Sequence, residues 1–304
     1  MKKKRRQGKF TARKTRRTTT TVLWRIAVIL LIIDMAAMGA LQLQRHKARS
    51  EFRQMAAAVR EAEQAAQAAA TAAPTELPAE APSVPTEPTA ATTPEPTEVV
   101  TEPTEETEPD DGLLPQYRQF YQENPEMVGW IRIDDTIVDY PVMHTPNDPE
   151  KYLHLSFQGE ESQHGVPFMD YRCTLDSDNV LIYGHNMSDD TMFHTLVEYR
   201  LKSYWREHPV IRFDTVQEER EYEVFAAFYD RVYYEHEQNF KFYNFIDAKN
   251  KADYNKAVQK LKGKSQYNTG ITPKYGQQLI MLVTCTYREE NGWFVVVACE
   301  KTPD

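Results

Sequence analysis

From Met127 onward the chain alternates short runs of β-branched and aromatic residues with polar breaks. Eight runs stand out: MVGWIRI (127–133), IVDYPVM (137–143), GVPFMD (165–170), NVLIYGH (179–185), PVIRFDT (209–215), REYEVFAAFYDRVYY (220–234), QQLIMLVTCTY (277–287) and WFVVVAC (293–299). Runs of this kind, many set off by turn residues, predict strands, and eight of them predict a sandwich or a barrel. Three stretches carry a helical pattern instead. Pro115 to Asn124 reads as a short helix stopped by Pro125, residues 192–208 follow the fourth run, and residues 245–264 lie between the sixth and the seventh.

The first 111 residues follow other patterns. Val22 to Leu43 is the one long apolar stretch. A hydrocarbon core about 30 Å thick takes about 20 helical residues to cross, so this stretch predicts a transmembrane signal anchor. It carries Arg25 near one end and Asp34 in the middle, an acid that costs about 2.5–3.5 kcal/mol on insertion scales. The rival is a cleaved signal peptide with Met38-Gly39-Ala40 as the small-residue site, but the apolar pattern continues past it. Residues 44–70, rich in Ala, Glu, Gln and Arg, predict a helical stalk. Phe52, Met55 and Val59 form its one thin apolar stripe, too little for a coiled coil, so a solvated helix is expected. Residues 71–111 hold nine of the eighteen prolines among Thr and Glu and predict a disordered spacer. At about 3.1 Å per residue it reaches at most about 130 Å. The remaining 112–304 is one domain by length.

Charge sharpens this division. Residues 1–25 carry eleven Lys or Arg and no acid, whereas 71–111 carry eleven Asp or Glu and no base. The body 112–304 has 20 basic against 30 acidic residues, and that field disfavours nucleic acid as a partner. The basic head (1–21) predicts a cytoplasmic N-terminus by the positive-inside rule, with everything after Leu43 outside. The chain is thus expected at the cell membrane as a single-pass protein with an extracellular body. Three cysteines, Cys173, Cys285 and Cys299, on an exported chain leave at least one thiol unpaired. No Cys/His spacing suggests a metal site, and no cofactor motif is visible.

Two residues carry candidate chemistry. Cys285 ends the seventh run between Thr284 and Thr286, and His185 ends the fourth run after Gly184. A thiol and an imidazole at strand ends are the parts of thiolate nucleophilic catalysis. Each alone also fits a bland reading, a packed cysteine and a loop histidine. Tyr183, Asn186, Met187, Thr284 and Tyr287 flank the pair and are expected to line its cleft. Asp189 and Asp190 read as a solvated loop. The other histidines read as surface or packing residues, and the aromatics at 225–234 as barrel core and surface.

LIYGHNMSDDTMF around His185, LIMLVTCTY around Cys285, VGWIRIDDTIVDYPVM and GVPFMDYR together resemble a class B sortase over essentially all of 113–300. The resemblance implies a closed eight-stranded β-barrel, an N-terminal helix, and a long helix at about 244–262 between strands six and seven. It also implies a metal-free transpeptidation in which Cys285 attacks the Thr carbonyl of a surface protein's C-terminal sorting signal. His185 then acts as acid and base, and a peptidoglycan precursor or other cell-wall amine resolves the thioacyl enzyme. A third residue, an Arg opening the eighth strand, is implied to hold substrate and oxyanion.

The chain departs from the pattern at that third residue, because Trp293 occupies the position. An indole offers one N–H and no charge, and cannot replace a bidentate cationic clamp. Arg288, in the turn after Cys285, is the nearest cation in sequence. Three readings stay open: Arg288 folds into the site, Trp293 and backbone donors serve alone, or the protein is a pseudosortase that binds without catalysing. A hydrolytic cysteine peptidase is the further rival.

Overall fold

The architecture is described from a computed structural model covering residues 8–72, 111–286, 288 and 291–302, with the side chains of 8–28, 70 and 72 outside that description. All eight expected strands form: β1 Met127–Arg132, β2 Asp139–Met143, β3 Phe168–Met169, β4 Asn179–Tyr183, β5 Val210–Thr215, β6 Glu221–Arg231, β7 Leu279–Thr286 and β8 Gly292–Glu300. They close into one barrel in the order β1-β2-β3-β4-β7-β8-β6-β5. Closure leaves no exposed sheet edge to template pairing with another chain. β2/β3 and β4/β7 are parallel and the other pairs antiparallel. Both sides of β7 and β8 are covered, and Leu279–Val283 and Phe294–Cys299 are all buried. That is why these two runs read as continuously apolar rather than alternating.

Among the described residues the α-helices are α1 Gly8–Ala72, α2 Pro115–Glu123, α3 Lys202–Glu207 and α4 Lys251–Lys264. The helix expected at 192–208 is a 3-10 segment, His194–Arg200, followed by the short α3. The long helix expected at about 244–262 starts later, at Lys251. Asn250 accepts hydrogen bonds from the backbone N–H groups of Ala252 and Asp253 and fixes the start there. A 3-10 turn, Phe242–Asn244, fills the space before it.

The solvated stalk is corrected. Residues 44–70 belong to α1, and Phe52, Met55, Ala56 and Val59 are buried against the domain. Phe52 meets the ring of Tyr140 on β2 edge-on at 5.2 Å. Beside this stripe, Asp139 takes hydrogen bonds from Arg60 (2.6 Å), Arg132 (3.2 Å) and the indole of Trp130 (2.6 Å), while Arg132 also reaches Glu63 at 3.0 Å. Arg132 and Asp139 are buried, so Arg60 and Glu63 complete a charge cluster that the barrel alone leaves open. The thin stripe suffices because it is flanked by these ion pairs.

Among the described residues no helix is long and apolar enough to cross a membrane. The expected span at 22–43 runs through α1, and its first seven side chains lie outside the description, as do residues 1–7 of the basic head and nearly all of the spacer expected at 71–111.

Candidate active site

The parallel pairing of β4 with β7 runs with a constant offset of one hundred residues, from Asn179 opposite Leu279 to Tyr183 opposite Val283. The offset persists beyond the ladder. Gly184 donates its N–H to Val283 O at 3.1 Å, and the Thr284 hydroxyl donates to Gly184 O at 2.8 Å. His185 and Cys285 are the next residues on each chain. Both line one cavity of about 330 Å³, together with Leu153, Phe168, Tyr183 and Trp293.

Gly184 is required here for a reason the sequence did not suggest. A Cβ at this position comes within 2.6 Å of the Phe193 ring, which is fully buried. Phe193 in turn donates its N–H to His185 O at 2.8 Å. The histidine loop thus folds back on the glycine, with Met192 and Asp190 held at positive φ.

The His185 Nε2 faces the carbonyl of Leu153 at 2.8 Å. A carbonyl only accepts, so Nε2 carries the proton and Nδ1 is left for transfer chemistry. Burial pushes the imidazole pKa below its ordinary value. The Leu153 contact opposes that shift, and His154 and His164 reinforce it. Cys285 as a whole residue is exposed, yet the cavity wall removes solvent from its thiol, and that desolvation pushes its pKa up. Both shifts favour the uncharged forms, a neutral thiol and a neutral imidazole facing one cavity.

Trp293 is the cross-strand partner of Cys285 in the β7/β8 ladder. Its half-buried ring sits among Tyr183 (6.2 Å), Phe242 (5.7 Å) and Tyr243 (5.5 Å). Arg288 lies elsewhere, its guanidinium 4.6 Å over the Tyr229 ring. Tyr229 pairs with Phe294, and Phe294 with Thr284, whereas Asp230 pairs with Trp293, and Trp293 with Cys285. Successive residues of a strand point to opposite faces. Arg288 is thus held on the face away from the thiol, and it does not line the cavity. Asp170 on the wall is matched by Arg172 (2.7 and 2.8 Å) and the Tyr183 hydroxyl (3.0 Å).

Tyr183 and Thr284 line the cavity, and Asn186 and Met187 do not. Asn186 instead donates from Nδ2 to Cys285 O at 2.9 Å, and Met187 packs against the core. Tyr287 lies outside the described residues. Asp189 is not a solvated residue: its carboxylate accepts from the buried His164 at 3.0 Å and from Thr191 at 2.5 Å. Leu153 and His194 were missed, since a backbone acceptor and a loop histidine leave no sequence signal. Cys173 and Cys299 are buried, free thiols.

A sortase-domain family model matches residues 131–301. The chain belongs to the sortase family. Sortase B of Staphylococcus aureus is 31% identical over 190 residues, spanning 61% of this chain and 75% of that protein. Sortase B of Listeria monocytogenes is 33% identical over 186 residues, 60% of this chain and 72% of that one. The solved structure of a Staphylococcus aureus sortase B–substrate complex matches with a TM-score of 0.56 at 29% identity, covering 63% of this chain and 87% of that one. The protein is a class B sortase, and its activity is that of a sortase-type cysteine transpeptidase. This sortase carries its thiol and imidazole at the ends of two parallel strands, with an indole, not a guanidinium, across from the thiol.

Proposed function

We propose that this sortase cleaves a C-terminal sorting signal after Thr and joins the new carboxyl end to an amine of the cell wall, with Cys285 as nucleophile and His185 as acid and base. The observation that carries the reading is the shared cavity at the end of the β4/β7 pair. In the first half-reaction the thiolate of Cys285 attacks the scissile carbonyl and an S–C bond forms. The C–N bond breaks as the His185 imidazolium gives its proton to the leaving amine. In the second half-reaction the acceptor amine attacks the thioester and loses a proton to His185. The new C–N bond replaces the S–C bond, and the thiol is restored. The raised thiol pKa and the lowered imidazole pKa both disfavour the reactive thiolate–imidazolium pair. The oxyanion is met by backbone N–H groups and the Trp293 indole.

The protein is proposed to act outside the cell, anchored by Val22–Leu43 with the basic head in the cytoplasm. The charge asymmetry and the apolar stretch support this. The test uses the full-length chain with Thr-containing sorting peptides, with and without an acceptor amine. A thioacyl adduct on Cys285 by intact mass and an amine-joined product are expected. An adduct that yields only free acid, even with amine present, favours a hydrolytic peptidase. No adduct and no product at all overturns the assignment of Cys285.

A further inference from the structure

The loops that carry the two reactive residues are tied together by a side-chain hydrogen-bond chain through Asn186 and His194. Asn186 follows His185, and its Nδ2 donates to the backbone carbonyl of Cys285 at 2.9 Å. A carbonyl accepts only, so the amide orientation is settled: Oδ1 faces the other way. There it meets His194 Nδ1 at 2.8 Å, which must donate. The far nitrogen of the same ring, Nε2, lies 3.1 Å from Asp190 Oδ1. An isolated backbone bridge between Asn186 and Met192 holds the two ends of this loop together.

The geometry points to Asn186 and His194 as a positioning clamp for the transpeptidation, setting the Cys285 main chain against the His185 loop. The inference rests on the proposed roles of Cys285 and His185. Its physical basis is the sensitivity of acyl transfer to placement, since a shift of about 1 Å costs about 10²-fold in rate. The β4/β7 ladder ends at Tyr183 and Val283. Beyond it, the Gly184 N–H bond to Val283 O, the Thr284–Gly184 bond and the Asn186 amide continue the tie between the two strands as far as the catalytic pair. His194 adds direction. Without its Nδ1–H the amide is free to turn its oxygen toward the Cys285 carbonyl, where two acceptors repel.

The test compares four full-length variants in the peptide-plus-amine assay, with thermal midpoints alongside. Asn186→Asp keeps the shape and still accepts from His194, but cannot donate to Cys285 O. His194→Leu removes the donor, and His194→Gln restores an N–H in reach of Asn186. Cys285→Ala is the control for the site itself. We expect kcat to fall about 10- to 100-fold in Asn186→Asp and His194→Leu with KM within about twofold, the pattern of a contribution felt in the transition state. Thermal midpoints should stay near that of the parent, and His194→Gln should recover most of the rate. Rates within about twofold of the parent in both variants, or losses that only track lost folded protein, overturn the clamp. If Cys285→Ala keeps full activity, the site assignment falls instead.

Discussion

Exchanging Trp293 for arginine tests whether the indole stands in the oxyanion position. The substitution has two opposing effects. On the stability side, the indole makes ring contacts at 5.5, 5.7 and 6.2 Å with Tyr243, Phe242 and Tyr183. Such pairs contribute about 0.5–1.5 kcal/mol each beyond area burial, so Trp293→Arg removes about 1.5–4.5 kcal/mol. For a body of this size 1 kcal/mol moves the melting midpoint by about 2–4 °C, which gives a drop of about 3–18 °C. On the catalytic side, one oxyanion donor is worth about 10²–10³ in rate. Asp230 lies directly across from position 293 on β6, and competition from that carboxylate brings the expected gain in kcat/KM down to about 10- to 100-fold.

A paired substitution, Trp293→Phe, keeps an aromatic ring in the cage and deletes only the N–H. A hydrogen bond to a charged group contributes about 1.5–3 kcal/mol, so kcat is expected to fall about 12- to 160-fold. Both variants are measured by initial rates of amine-joined product below the melting midpoint. If Trp293→Arg folds, melts within the stated range and gains nothing, and Trp293→Phe loses nothing, position 293 does not face the developing charge. The reading of an indole-served oxyanion site is then refuted.

Three further outcomes follow from the structure. Gly184→Ala sets a methyl group 2.6 Å from the buried Phe193 ring, so a loss of about 1–3 kcal/mol by chemical denaturation is expected, with a fall in kcat because Phe193 holds the His185 carbonyl. Alkylation of Cys285 by iodoacetamide follows the thiolate. Because burial raises the thiol pKa, the rate should climb with pH to a midpoint above the ordinary thiol value of about 8.5, and a midpoint below it would falsify the neutral-pair description. Phe52→Ala removes a buried ring and its contact with Tyr140, for a cost of about 2–4 kcal/mol in helix docking. Faster tryptic cleavage within α1, with the barrel intact, is the expected readout, and unchanged cleavage argues that the ion pairs alone hold the helix.

How much of this was legible in the sequence depends on whether each feature is local. The eight strands were, because each run states its own periodicity. The positions of Cys285 and His185 at strand ends were legible for the same reason. Their meeting was not: it depends on parallel pairing between strands four and seven, one hundred residues apart, and no local pattern encodes a partner. The docking of α1 failed for a related cause. Phe52, Met55 and Val59 make a poor stripe for self-association, but their partner is the face presented by Tyr140 and the Arg132–Asp139 pair, which belongs to another part of the chain. The start of α4 was missed because the pattern was read through Asn250, a residue better suited to capping than to a helix interior.

The choice between Arg288 and Trp293 shows the same limit at finer scale. By sequence distance Arg288, three residues from Cys285, is the nearer candidate, and Trp293 is eight away. The hairpin reverses the chain, so the ladder sets Trp293 directly beside Cys285. Arg288 leaves the turn toward Tyr229, which is one residue off the Cys285–Trp293–Asp230 row and therefore on the opposite face of the sheet. Bringing that guanidinium to the thiol requires the cation–π contact with Tyr229, about 0.5–1 kcal/mol at an exposed site, to break. That contact is weak enough for substrate to overcome. Trp293 reaches the site with no rearrangement. In the resting geometry the thiol's neighbour across the ladder is an indole, not a guanidinium.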